Sequence, residues 1–255
     1  MLTKAAADTS ASFAFEPRAT YKLREWSRGW EVVAVVYRPA FIDEVKRATL
    51  QVHDESKESL FATSLMAGEL DPSAFAQWLL ALLPVYTTLE TSLIAQRSDP
   101  WIHIFDHRKL DRRRRIANDL QFLGFDPDTS PSTLPASSAY SSVVQEASQD
   151  PVRLLAHHYT RYLGDMIGGR VIARCLDEKY GIDAAGRTCY DFSELGDVFH
   201  YRKQYRVLVD LMPWSTDERS RFIDETQAAY RVNRLLFDEL AVATGCADDA
   251  RSPVG

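Results

Sequence analysis

Only three cysteines occur in the 255 residues, Cys175, Cys189 and Cys246, too few and too scattered for a disulfide framework and without the close spacing of a metal site. Positive charge is in deficit as well: 30 Lys and Arg against 36 Asp and Glu leave a net charge of -6, which argues against wholesale nucleic-acid binding. The one basic run, Arg112-Arg113-Arg114-Arg115, follows Asp111 and reads as a solvated helix face. No segment approaches the roughly 20 apolar residues of a bilayer-spanning helix, and the N-terminus lacks a charged head followed by a long hydrophobic run. A cytoplasmic chain without a membrane span is therefore expected. Glu-x-x-His is absent, which disfavours a carboxylate-bridged pair of metals in a helical bundle. So is Gly-x-Gly-x-x-Gly, the phosphate-cradling fingerprint of dinucleotide domains.

What the chain does contain is helical periodicity, interrupted by few strand-like stretches. Residues 1–38 stand apart as an extension of unassigned role, small and polar at first and then β-branched from Glu31 to Tyr37, a run suited to a strand or an ordered arm. From Pro39 onward apolar residues recur at helical spacing: Phe41, Val45, Thr49 and Val52 first, with a break at Gly68 to Pro72. A second stretch over 73–96 carries Phe75, Leu79, Leu82, Tyr86, Leu89 and Leu93 on one face and a kink at Pro84. A third helix is predicted over 110–123, a Pro-, Ser- and Asp-rich surface loop over 124–142, and further helices over 151–180, 193–211 and 216–243. The expected fold is an all-α, single-domain helical bundle over residues 39–245, followed by a disordered tail at 246–255.

Glycines interrupt the fourth of these patterns where a helix should least tolerate them. In Tyr159-Thr-Arg-Tyr-Leu-Gly-Asp-Met-Ile-Gly-Gly-Arg170, each of Gly164, Gly168 and Gly169 costs about 1 kcal/mol relative to alanine in a helix interior. Gly164 and Gly168 lie about one turn apart, so together they clear a groove in which a flat, bulky ligand can touch main chain. Close packing of two helices is the other use of such spacing.

The run Leu154-Leu-Ala-His-His-Tyr-Thr-Arg-Tyr-Leu-Gly-Asp165, followed by Gly168-Gly169, resembles the distal-helix signature of the biliverdin-forming heme oxygenases. The resemblance extends over about 41–240 and agrees with the all-α reading. It implies a monooxygenase for which heme b is both cofactor and substrate, cleaved with O2 to biliverdin, carbon monoxide and ferrous iron. Among the six histidines it selects His53, in Ala48-Thr-Leu-Gln-Val-His53, as the axial iron ligand. Lys46 precedes His53 by seven residues, about 10.5 Å along a helix and on the same face, roughly the reach from iron to a propionate. Tyr159, Gly164, Gly168 and Gly169 match heme-contacting positions of the family, and Arg202 and Arg206 match its propionate-binding basic residues. Those two arginines are one turn apart and repel mildly unless an anion lies between them. Asp165, Tyr86, Arg161 and Asn233 match the distal hydrogen-bond network, in which the aspartate anchors water near the reacting oxygen rather than touching iron.

Three positions depart from the family pattern. Ile167 and Arg170 stand where the distal motif carries a small hydroxyl and an amide, and Lys57 stands where an acid four residues past the ligand polarises the imidazole. Glu55 and Glu58 are the carboxylates left to replace it. With no nucleotide fingerprint, electrons are expected from a separate ferredoxin or flavoprotein reductase. The alternative reading is a heme-binding sensor or carrier that keeps His53 without turnover.

Overall fold

The computed structural model describes residues 19–26, 29–37, 40–105, 108–129 and 131–249, with the side chains of 40–247 within those ranges. Two antiparallel strands come first, β1 (Ala19–Trp26) and β2 (Gly29–Tyr37), paired from Ala19 opposite Tyr37 to Trp26 opposite Gly29 with an irregularity between Lys22 and Leu23. The β-branched run at Glu31 to Tyr37 is thus a strand. All that follows is helical: α1 (Phe41–Lys57), α2 (Leu60–Ala67), α3 (Ser73–Ala95), α4 (Pro100–His103), α5 (Arg113–Phe122), α6 (Pro135–Ala147), α7 (Pro151–His158), α8 (Arg170–Tyr180), α9 (Val198–Leu211), α10 (Thr216–Ala243) and α11 (Cys246–Asp249). Short 3-10 turns, including Thr188–Tyr190, join them.

The longest helix, α10, packs against α1, α2, α3, α6 and α7 and organises the bundle. Its start is fixed by a capping box: Ser215 Oγ accepts from Glu218 N at 3.3 Å, and Ser215 N donates to Glu218 Oε2 at 2.8 Å. Such a cap is worth about 1 kcal/mol. Along the helix Phe222, Ala229, Leu236 and Leu240 are fully buried, and a leucine taken out of water in this way contributes about 1.5–3 kcal/mol.

Several expectations are corrected. The first helical pattern is two helices, because Ser59 caps α2 by accepting from Ala62 N at 3.3 Å. The stretch expected as loop over 124–142 already contains α6, which starts with Pro135 in the first turn and buries Ala136, Tyr140, Val144 and Ala147 at helical spacing. Cys246 is not in a disordered tail: it opens α11 and donates its thiol to Ala241 O at 3.3 Å. Arg112 is not solvated but 1% exposed, donating to the carbonyls of Leu110, Cys189 and Asp191 and stacking on Phe192. Finally, α3 is long and apolar enough to cross a membrane by length and composition, with a mean hydropathy of 1.4. Its buried residues, among them Phe75, Leu79, Leu82, Tyr86 and Leu89, instead belong to the core of the bundle.

Candidate functional site

Between α7 and α8 the helix changes its hydrogen-bond register. Tyr159–Leu163 and Asp165–Gly169 form two π-helical turns, the wider geometry that recurs at functional sites. The helix is held in place ahead of them by its two histidines. His157 Nε2 is 2.8 Å from Glu225 on α10, which also accepts from Arg153 at 2.6 Å, and His158 Nδ1 is 2.6 Å from the Tyr205 hydroxyl on α9. Both imidazoles are fully buried and serve packing.

The three glycines of the π segment do different things. A Cβ at Gly164 or Gly168 would meet nothing within 4 Å, so the bare backbone faces open space. Gly169 is turned the other way, against the Tyr190 ring, where a Cβ would collide. Close packing is therefore enough to require glycine at this position.

Tyr86, Arg161, Asp165 and Asn233, drawn from α3, the π segment and α10, form one connected network. The Tyr86 hydroxyl donates to Asp165 Oδ2. Arg161 donates from Nε to Tyr86 Oη at 3.2 Å, from Nη2 to Asp165 Oδ1 at 3.4 Å and from Nη1 to Asn233 Oδ1 at 3.0 Å. Asn233 Nδ2 then donates to Ser56 Oγ on α1 at 3.0 Å, three residues beyond His53. Burial raises the Asp165 carboxyl above its ordinary pKa, opposed by Arg161 and by the Tyr86 hydrogen bond. Burial also pushes the Tyr86 phenol well up, so it stays a donor.

Behind this network, Tyr162 donates to Glu90 Oε1 at 3.2 Å, and the same oxygen accepts from the Arg112 and Arg113 amides at the start of α5. Burial and the neighbouring Asp111 push Glu90 up to about 7.

His53 lies on the exposed side of α1, its side chain 48% accessible, edge-on to Tyr230 at 5.5 Å. Its Nδ1 is 3.1 Å from Asp54 Oδ1, and that hydrogen bond holds the Asp54 carboxyl below its ordinary pKa. In the tautomer with hydrogen on Nδ1, the Nε2 lone pair is free for a metal. The carboxylate that orients the ring is therefore Asp54, not Glu55 or Glu58. Lys57 pairs with the same carboxylate at 3.4 Å, and Glu55 accepts instead from Gln51 at 2.8 Å. Adjacency to His53 was the only signal for Asp54.

On α9, Arg202 Nε and Arg206 Nε are buried with no hydrogen-bond partner among the described residues. Burial and the Arg206 charge lower the Arg202 pKa. The buried Tyr159 phenol feels both arginines as well as Asp210 and Asp43, and Asp43 pairs with Lys46 at 3.3 Å. Ile42 N donates to Asp210 Oδ1 at 2.8 Å, tying the start of α1 to α9. Arg170 stacks on Phe199, which is 66% exposed, while Ile167 is 45% exposed.

These features fit a heme. The Nε groups of Arg202 and Arg206 are without a hydrogen-bond partner among the described residues, the space over Gly164 and Gly168 is what side chains there would fill, and the imidazole is oriented with one nitrogen free. Among the described residues no cluster of His, Cys, Asp and Glu suits a bare metal ion.

Comparison with known proteins agrees. The heme oxygenase family model matches residues 40–239. Heme oxygenase of Porphyra purpurea is 27% identical over 204 residues, covering 78% of this chain and 85% of that protein. Heme oxygenase 1 of Nostoc is 25% identical over 201 residues, covering 78% and 84%. The structure of heme oxygenase from Leptospira interrogans superposes with a TM-score of 0.73 at 26% identity, covering 78% of this chain and 99% of that one. For fold alone, heme oxygenase-1 of Synechocystis in complex with heme gives 0.77 at 24% identity, covering 83% and 96%.

Proposed function

The chain belongs to the heme oxygenase family, and from that premise we propose which of its residues carry the oxidative cleavage of heme to biliverdin, carbon monoxide and ferrous iron. Bound heme supplies the iron that activates O2 and the ring that is cut. His53 Nε2 is the iron ligand, and Asp54 fixes its tautomer through Nδ1. Arg202 and Arg206, with Tyr159 and Lys46, hold the propionates; the two partnerless guanidinium Nε groups support this reading. Gly164 and Gly168 let main chain approach the ring face, which any side chain there would block.

Asp165 is the proton-handling group. Its Oδ1 is turned to Arg161 and its Oδ2 to Tyr86, so the carboxyl is held in one orientation. Because burial raises its pKa, Asp165 is a better proton donor near neutral pH than an exposed aspartate, and water held against it passes that proton on. Asn233 fixes Arg161 and, through Ser56, couples the network to the helix of His53. Electrons come from an external ferredoxin or flavoprotein reductase. We place the protein in the cytoplasm; among the described residues the one helix both long and apolar enough to cross a membrane, α3, contributes its buried face to the core.

The observation that carries the proposal is the four-residue network built on Asp165, in the same π-helical segment as the two open glycines, Gly164 and Gly168. The test is incubation of the full chain with hemin and ascorbate or a ferredoxin system, following biliverdin absorbance. Asp165→Asn is expected to keep heme binding and lose roughly 100-fold in turnover. Undiminished biliverdin in that variant would remove Asp165 from the role, and a heme complex that never bleaches would make the wild-type chain a sensor or carrier.

A further inference from the structure

A small cavity lies between α3, the start of α5, the π segment and the Thr188–Tyr190 turn, lined by the apolar side chains of Leu79, Leu82 and Ile116 and by Tyr86, Arg112, Asp165, Cys189 and Tyr190. It offers about 10 Å³ to the centre of a water, close to the minimum for one molecule. Tyr190 is 7% exposed, and its hydroxyl is buried with no partner among the described residues. The ring is held in place by Gly169 and by Phe75 and Trp78, at centroid distances of 6.2 and 6.4 Å.

A tyrosine with an unpartnered buried hydroxyl and a carboxylate that line the same one-water space make that space a site for a bridging water. We propose that Tyr190 is a positioning residue for the oxygenase reaction, its hydroxyl donating to a water that in turn donates to Asp165. The inference rests on the assignment of Asp165 to proton handling. The titratable and charged groups around Asp165 are Tyr86 from α3, Tyr140 from α6, Arg161 from its own helix, Arg112 ahead of α5, and Cys189 and Tyr190 from the turn. Burial of Tyr190 and the negative potential of its neighbours keep its proton on at neutral pH. A water-borne donor is thus a further device that keeps part of the Asp165 population ionised against its burial.

Tyr190→Phe tests this, because it keeps the ring on Gly169 and removes only the hydroxyl. In the heme-free protein, a high-resolution crystal structure should show one ordered water within hydrogen-bond distance of Tyr190 Oη and Asp165, lost in the variant, with a fall in Tm of about 2–4 °C. In turnover, heme affinity should be unchanged while the pH limb governed by Asp165 moves up by about one unit. A variant as stable as wild type or more so, no ordered water, and an unchanged pH profile would overturn the proposal, since that is how an orphan hydroxyl behaves. If the wild-type chain makes no biliverdin but the water and the Tm loss are found, the Tyr190–Asp165 link stands and the oxygenase reading fails.

Discussion

Arg202 and Arg206 give a prediction with opposite signs in the free and ligand-bound protein. One turn apart on α9, they have buried Nε groups without a hydrogen-bond partner among the described residues, and the Arg202 pKa is depressed by burial and by its neighbour's charge. Like charges at this spacing cost about 0.2–0.5 kcal/mol. Replacing Arg202 by Gln should therefore leave the heme-free protein as stable as wild type or raise its Tm by about 1 °C. Each arginine that meets a carboxylate contributes about 1.5–3 kcal/mol, equivalent to roughly 10- to 100-fold in affinity. Arg202 is only partly buried, so solvent screening places the expected loss near the lower end, about tenfold in Kd. Arg202→Lys keeps the charge without the planar fork and should recover part of it. The assay is a hemin titration followed by the Soret band, beside the same titration with heme dimethyl ester, whose propionates carry no charge. Equal affinity of wild type and Arg202→Gln for hemin, or an equal loss for the ester, would refute the assignment.

Gly168→Ala meets open space and should gain up to about 1 kcal/mol of helix stability while perturbing the heme spectrum, whereas Gly169→Ala meets the Tyr190 ring and should lose about 1–3 kcal/mol. Thermal melts with hemin titration separate the two; a destabilised Gly168→Ala would contradict the open face. Glu90 gives a pH dependence. Its carboxyl holds a proton up to about pH 7 in the folded state and releases it near 4.5 when unfolded, so the folded state binds more protons in that window and stability falls as pH rises through it. The rise from 4.5 to about 7 corresponds to roughly 3 kcal/mol, so Glu90→Gln should stabilise the protein at pH 8 by about 2–3 kcal/mol and have little effect at pH 4.5. Denaturant melts at the two pH values check this, and an equal effect at both would be inconsistent with a protonated Glu90. Asp54→Asn should lower the affinity for ferric heme by roughly tenfold or more; unchanged affinity would show that Asp54 does not orient His53.

Legibility in the sequence followed the physics of each element. The span of α10 was readable because Ser215 and Glu218 announce its start and its apolar residues keep helical spacing for seven turns. The helix α6 was not, since Pro135 and four serines look like loop until Pro135 is seen in the first turn and Ala136, Tyr140 and Val144 are seen in the core. The open glycines stood out because glycine is costly in a helix, but the same cost marks Gly169, and only packing against Tyr190 tells the two uses apart. No periodicity brings Tyr86 to Asp165 across 79 residues; the resemblance named these residues, and tertiary structure joins them. The π turns were invisible because a change of hydrogen-bond register leaves no residue pattern of its own. Arg112 misled because a run of four arginines conceals that one of them is capped by backbone carbonyls in the core.

The central claim is that His53 on α1 holds heme iron opposite the bare backbone of Gly164 and Gly168. Titration of hemin into the full chain and into His53→Ala, each with and without added imidazole, tests it most directly. One equivalent is expected to give a histidine-ligated spectrum in the wild type, lost in the variant and restored by imidazole. Failure of the wild type to saturate at one equivalent, or the same Soret band in His53→Ala without imidazole, would contradict it.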